Sequence, residues 1–328
     1  MINTGQTAAS NIIEARDLTR SFSSDTGVFD VSFALPQGAI LGLIGPSGSG
    51  KTTTVRLMTG LLSPERGSVR VLGQEAITFT TRTRERIGYM PQDFVLYPNL
   101  TVSENLNFVA SLYGMGYLKR REHLTRVLEL VELQDARRRL GHQLSGGMQR
   151  RLALACALVH NPVLLFADEP TAGIDPVLRG VFWQYFRELR EQGHTLVITT
   201  QYVGEAAYCD LVGVMRNGRL LHLNTPDELR RIALGGEVIK LVLPPTQVID
   251  AMQILQRFPA VNDVRRSRNE PGLLYVYTEQ ASTTLPQLFT LFEQHPDITI
   301  EQAQEYQPPF DDLFIRLMER EDAQGAQA

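Results

Sequence analysis

The sequence predicts an α/β fold, a mostly parallel sheet with helices on its faces, followed by a smaller α+β domain. Three observations carry this. First, short apolar runs recur: Ala39-Ile40-Leu41-Gly42-Leu43-Ile44, Val163-Leu164-Leu165-Phe166-Ala167 and Thr195-Leu196-Val197-Ile198-Thr199-Thr200. Each has the length of a strand buried on both faces, and helical-period segments separate them, which implies parallel pairing. Second, the first run opens straight into Gly45-Pro46-Ser47-Gly48-Ser49-Gly50-Lys51-Thr52, after which Thr53 to Gly60 reads as a helix with Val55, Leu57 and Met58 apolar. Third, the composition changes beyond Leu229 and Gly235-Gly236, and the pattern that follows is βαββαβ, the ferredoxin-like order.

In chain order, Asn11 to Thr19 mixes apolar and polar residues as a half-exposed strand does, and Val28 to Leu35 alternates again. Pro36-Gln37-Gly38 and Pro64-Glu65-Arg66-Gly67 are turns, the second leading to a short strand, Ser68 to Leu72. Arg86 to Met90 reads as a strand ending at Pro91-Gln92. Apolar residues recur at helical spacing from Thr101 to Gly114 and from Glu122 to Val131, and Thr101-Val102-Ser103-Glu104 matches a capping box. An apolar helix, Leu152 to Val159, is broken by Pro162. Another runs from Val177 to Glu191 and stops at Gly193. The C-terminal part reads as strand Val238–Leu243, helix Val248–Phe258, strand Ala260–Arg265, a turn at Asn269-Glu270-Pro271-Gly272, strand Leu273–Thr278, helix Leu285–Gln294 and strand Ile298–Gln304. Pro308-Pro309-Phe310 then introduces an amphipathic helix, Asp311 to Arg320. The expected domains are residues 10–232, with a helical part at about 93–159, and residues 237–320.

The 328-residue chain is 43% hydrophobic, enough for a sizeable core, so disorder is not expected. A net charge of −4 provides no global basic field to recruit nucleic acid. Cys156 and Cys209 do not make a disulfide framework and read as buried, reduced thiols. Met1 to Ser10 has neither the basic region nor the apolar core of a signal peptide, and no apolar run approaches a membrane span. The chain is expected to be made and to stay in a reducing cytoplasm, and if it works at a membrane it does so by docking to something else. The basic runs Lys119-Arg120-Arg121 and Arg137-Arg138-Arg139 read as solvated helix faces, with a partner or phospholipid patch as the alternative.

The glycine turn fits the phosphate-binding pattern G-x-x-x-x-G-K-[ST] in the strand–loop–helix context that pattern requires. Glycines let the backbone turn tightly and aim N–H groups at an anion, and the helix start adds a partial positive charge. Lys51 can reach β- and γ-phosphates, and the Thr52 hydroxyl can ligate Mg²⁺. The run ending in Asp168-Glu169 places two carboxylates at the C-terminal end of a sheet strand, where open α/β sheets bind ligands. Asp168 suits Mg²⁺, and Glu169 suits a general base acting on water. A third motif, Leu144-Ser145-Gly146-Gly147-Met148-Gln149-Arg150, puts a serine and two glycines at a helix start, a second anion nest.

That third motif, lying between the phosphate loop and the paired carboxylates in the chain, resembles the signature sequence of ABC transporter ATPases, and the three stand in that family's order. The resemblance covers about Ile12 to Asp227. It implies a P-loop NTPase core with a helical subdomain, ATP and Mg²⁺ as cofactors, and a head-to-tail sandwich of two cassettes closing over two ATP molecules. Gly45 through Thr53 would hold the nucleotide. Leu144, Ser145, Gly146, Gly147 and Gln149 would face the γ-phosphate bound to the other subunit, together with the loop Ala172-Gly173-Ile174-Asp175. Phe22 stands where the family stacks an aromatic on adenine, and Phe29 is the weaker candidate. Gln92 matches the glutamine that touches Mg²⁺ and the attacking water and senses the membrane partner.

One departure stands out. After Thr199-Thr200 the family has a histidine, and this chain has Gln201, followed by Tyr202, Val203, Gly204, Glu205 and Ala206. Glutamine still donates a hydrogen bond but cannot become cationic. His194 is expected at the opposite end of the same strand. The run Gly88 to Gln92, then Leu96 to Val102, Glu104-Asn105-Leu106 and Leu112-Tyr113-Gly114, with the C-terminal Pro308 to Phe314, looks like the drug, polysaccharide and lipid exporter branch. The leading expectation is therefore the ATP-hydrolysing subunit of an exporter. Its expected partners are a membrane-spanning permease and a second cassette, and none is a nucleic acid. The alternatives are a weakly hydrolysing regulatory cassette, because of Gln201, and a non-transport ATPase of the same fold.

Overall fold

In a computed structural model the described residues are 11–93, 96–267 and 269–325, with side chains described as far as 321. The reading of Met1–Ser10 lies outside them. The chain divides into two compact units, one up to Leu223 and one from Asn224 onward.

The first unit joins two sheets around one core. Strands β1 (Asn11–Ser21), β2 (Gly27–Pro36), β4 (Arg66–Val71) and β5 (Gln74–Glu75) form an antiparallel sheet ordered β2-β1-β4-β5. A second sheet has the order β10-β9-β3-β8-β7-β6. It comprises β3 (Ile40–Ile44), β6 (Ile87–Met90), β7 (Leu164–Asp168), β8 (Thr195–Thr200), β9 (Leu211–Arg216) and β10 (Arg219–Asn224). From β9 to β6 every pairing is parallel. β3, β7 and β8 are buried at every residue, as their continuous apolar runs require. Helix α1 (Lys51–Met58) lies between the sheets. Its Val55, Leu57 and Met58 share a core with Ile13, Leu18 and Val71 on one side and Leu43, Phe166 and Val197 on the other. The short α2 (Thr81–Arg84) precedes β6.

Three helices follow β6: α3 (Val102–Leu112), α4 (Tyr117–Leu130) and α5 (Gly146–Leu158). The capping box at the start of α3 is formed: Glu104 N donates to Thr101 Oγ1 at 3.2 Å and Thr101 N donates to Glu104 Oε2 at 2.7 Å. Helix α6 (Pro176–Glu191) connects β7 to β8 and buries Phe182, Trp183 and Phe186. β9 and β10 go beyond the sequence reading. They are joined by Asn217-Gly218 with φ of 50° and 75°, the left-handed pair that a tight two-residue hairpin turn requires. Both cysteines are free and buried, and burial pushes the Cys156 thiol up to about 12.

The second unit contains α7 (Pro226–Leu234), β11 (Glu237–Val242), α8 (Val248–Leu255), β12 (Asp263–Arg266), β13 (Leu273–Thr278), α9 (Ala281–Glu293), β14 (Gln302–Tyr306) and α10 (Phe310–Gly325). Its sheet is antiparallel throughout in the order β12-β13-β11-β14, which is the ferredoxin-like arrangement. The division falls at Leu223 rather than after 232, because α7 packs against α10 and β11. β14 lies four residues beyond the expected start. Ile298 and Ile300 pack into the core from a loop, and the polar stretch Gln302-Ala303-Gln304-Glu305-Tyr306 makes the edge ladder. Among the described residues no helix is long and apolar enough to cross a membrane.

Candidate nucleotide site

The loop between β3 and α1 is shaped by glycine. Gly48 has φ 79° and Gly50 has φ 100°, left-handed conformations that favour glycine. A Cβ on Gly45 would lie 2.2 Å from the carbonyl oxygen of Met215 on β9. The β9–β10 turn braces the loop from behind, with Gly218 N donating to Ser49 O at 3.1 Å. α1 has no side-chain cap, so the backbone donors of its first turn face the loop.

Lys51 is 4% exposed. Its Nζ donates to the carbonyl oxygens of Gly45 at 2.8 Å and Pro46 at 3.0 Å, and lies 4.0 Å from Glu169 Oε1. Burial pulls the ammonium below its usual pKa, and the carboxylates of Glu169 and Asp168 oppose that shift. Asp168 Oδ1 accepts hydrogen bonds from Thr52 Oγ1 at 3.1 Å and Thr199 Oγ1 at 2.5 Å. Asp168 Oδ2 is buried and has no hydrogen-bond partner, and neither has the buried Ser49 Oγ. An orphaned carboxylate oxygen beside a threonine hydroxyl at a phosphate loop fits a hard divalent cation such as Mg²⁺, with Thr52 and Asp168 as its protein-side holders.

Glu169 stands one residue past the end of β7 with φ 47°, a left-handed conformation that is strained for a non-glycine residue. The conformation is held by Glu169 N, which bonds Thr199 O at 3.1 Å and Thr199 Oγ1 at 2.9 Å. Gln92, just beyond β6, donates from Nε2 to Glu169 Oε2 at 3.0 Å. β6, β7 and β3 thus bring Gln92, Asp168, Glu169, Lys51 and Thr52 to one edge of the parallel sheet.

The second motif lies elsewhere. Ser145 caps α5, its Oγ accepting from Met148 N at 3.3 Å. Ser145, Gly146, Gly147, Gln149, Ala172, Gly173 and Asp175 line an open groove of about 1310 Å³ that also takes in Gln92. No residue of Gly45–Thr53 lines it. Gln149 turns back on its own chain, donating to Gly141 O at 3.2 Å, and Asp175 caps α6 by accepting from Val177 N and Leu178 N. Leu144 is buried.

Phe22 is 56% exposed beyond β1, with the Arg20 guanidinium 5.7 Å from its ring centroid, while Phe29 is half-buried against Gly218. Gln201 is exposed immediately after β8. His194 precedes the same strand, with its Nδ1 2.6 Å from Pro162 O, and burial lowers its pKa. Sequence reasoning missed Thr199, which holds both carboxylate residues. A hydroxyl pair closing an otherwise apolar buried strand was its signal. It also missed the Asn217-Gly218 turn behind the loop, which the dipeptide itself advertises.

Residues 28–172 match the family described as ABC transporter. A probable multidrug ABC transporter ATP-binding protein, YbhF of Escherichia coli (strain K12), is 41% identical over 231 residues, 70% of this chain. The chain spans 40% of that protein's length. A Nod factor export ATP-binding protein I of Paraburkholderia xenovorans (strain LB400) is 33% identical, with 94% of this chain and 97% of the relative covered. Among solved structures, a dimeric post-hydrolysis ATP-binding cassette bound to ADP and phosphate superposes with a TM-score of 0.59 at 26% identity. That similarity covers 65% of this chain and 98% of the cassette. With its phosphate loop, paired carboxylates and serine–glycine helix start in place, and with a relative matched over nearly its whole length, the chain belongs to the family of ABC transporter ATP-binding proteins.

Proposed function

We propose that this chain is the ATP-binding and ATP-hydrolysing subunit of an exporter. It would work as two copies against a membrane-spanning permease, at the cytoplasmic face of the membrane. The observation that carries the reading is the cluster of Lys51, Thr52, Asp168, Glu169 and Gln92 at one sheet edge. Lys51 and the loop N–H groups hold the β- and γ-phosphates. Glu169, oriented by Gln92 and by its own backbone bonds to Thr199, takes the proton of the attacking water. Mg²⁺ held by Thr52 and Asp168 would neutralise phosphate charge. Phe22, exposed beside the antiparallel sheet, stacks on the adenine. Ser145, Gly146 and Gly147 serve the nucleotide on the second copy, a reading supported by the groove they line, which takes in no residue of the phosphate loop. Gln92 bonds Glu169, so a permease helix seated between Gln92 and the stretch Tyr97–Gly114 reaches the catalytic carboxylate through one side chain. Export is the direction of transport named for the Nod factor relative.

The test is Mg-ATP hydrolysis by the purified chain beside Glu169→Gln. The wild type should release phosphate, and the variant should fall by about 100-fold or more while still binding nucleotide. Equal rates would overturn the assignment.

A further inference from the structure

The β7–β8 ladder ends at Asp168↔Thr199. Beyond it the chain leaves β7 through Glu169 and β8 through Gln201, and a buried carboxylate ties the two exits together. Glu205 is 3% exposed. Its Oε2 accepts a hydrogen bond at 3.1 Å from the hydroxyl of Thr171, itself fully buried two residues after Glu169. Its Oε1 lies 3.4 Å from Nε of Arg179 on α6. The Arg179 guanidinium in turn sits 3.7 Å from the centroid of the Tyr202 ring, next to Gln201. Tyr202 N is tied back to Thr200 Oγ1 at 3.0 Å.

Burying a carboxylate costs several kcal/mol unless it is paired and hydrogen-bonded. Here one is buried at the junction of two loops that each begin with a candidate catalytic residue, and each of its oxygens faces a different element. Packing alone would be served as well by an apolar side chain. A carboxylate adds a directional hydrogen bond to Thr171 and an ion pair with Arg179, although Oε1 and the Arg179 Nε make no hydrogen bond, and an apolar side chain offers neither.

We infer that Glu205 is a positioning residue for hydrolysis: through Thr171 and through the Arg179–Tyr202 stack it holds Glu169 and Gln201 at a set separation. The inference rests on the hydrolytic reading of the site. Glu205 itself is assigned no contact with nucleotide, so its effect belongs on turnover and not on binding.

The experiment compares Thr171→Val, Thr171→Ala and Thr171→Ser in the full chain, with Glu169→Gln as the floor. It records kcat, KM for ATP and the melting temperature, with assays run well below the lowest melting point. Thr171→Val keeps the side-chain shape and the Arg179–Glu205 pair, and removes only the donor. Its kcat should fall about tenfold with KM within about twofold, the signature of a misplaced group rather than a lost contact. Thr171→Ala should fall to the same level, and Thr171→Ser should recover most of the rate. A wild-type kcat in Thr171→Val, a loss shared equally by Thr171→Ser, or a rise in KM at constant kcat would each overturn the assignment. A wild-type rate already at the Glu169→Gln floor would instead overturn the hydrolytic reading, and this assignment with it.

Discussion

The chain carries two helix starts built for anions, and they are furnished differently. α1 begins at Gly50 with no side-chain cap, and Lys51, Ser49, Asp168 and Glu169 are all buried around it. α5 begins at Ser145, whose own hydroxyl caps Met148 N, and Ser145 and Gly146 are exposed. A Cβ on Gly146 would meet nothing within 4 Å, and its backbone is helical, so neither packing nor conformation in this chain requires glycine there. At Gly45 the same addition would strike the Met215 carbonyl. The first helix start is shaped by its own chain. The second holds a glycine, Gly146, without a constraint from its own chain. In the function proposed here they are two halves of a site, the first supplying affinity and the second supplying completion.

The largest effect should come from breaking the first half. Lys51→Ala removes the ammonium that faces Asp168 and Glu169, and nucleotide affinity should fall by about 100-fold, read by fluorescent-nucleotide titration. The second half should answer differently. Gly146→Ala should leave the melting temperature and nucleotide affinity of the chain unchanged, because the added methyl has room, yet lower turnover by about tenfold. A loss of affinity equal to that of Lys51→Ala would erase the distinction between the halves. A smaller effect is expected at Gln201, where a group able to become cationic should raise turnover several-fold in Gln201→His. An unchanged or lower rate would show that this position does not limit hydrolysis.

The smallest expected effect lies between the three-helix region and the sheet. His160 stacks on Tyr113 at 3.6 Å, and its Nε2 lies 2.9 Å from Ile87 O. Burial lowers its pKa from 6.5 to about 4. The folded state therefore holds this ring neutral, while the unfolded chain takes up a proton below pH 6.5. Its contribution to stability is complete above that value and is lost progressively down to about pH 4, by at most about 3 kcal/mol. His160→Gln, which still offers a donor to Ile87 O, should flatten the acid limb of the melting-temperature profile, and an unchanged limb would reject the assignment.

Much of the first unit could be read directly. β8 runs over the residues expected, Thr195–Thr200, because a strand buried on both faces must be apolar from end to end. The phosphate loop was equally plain, since its glycines answer to steric demands that few other sequences meet. Other features were hidden for physical reasons. β14 is a polar edge strand, and the isoleucines before it serve the core from a loop. The helix expected from Leu285 begins four residues earlier, at Ala281, and holds Pro286 within it. The Thr171–Glu205 bond spans 34 residues of sequence, and no local pattern announces a contact of that kind. That Gln149 and Asp175 bond their own backbone could be seen only from coordinates.

In the proposed function one chain holds two half-sites that a second copy completes. Sedimentation of the Glu169→Gln chain with and without Mg-ATP tests it directly. The account predicts a mass near 36.7 kDa without nucleotide and about twice that with it. A chain saturated with ATP that stays at the mass of one copy would contradict it.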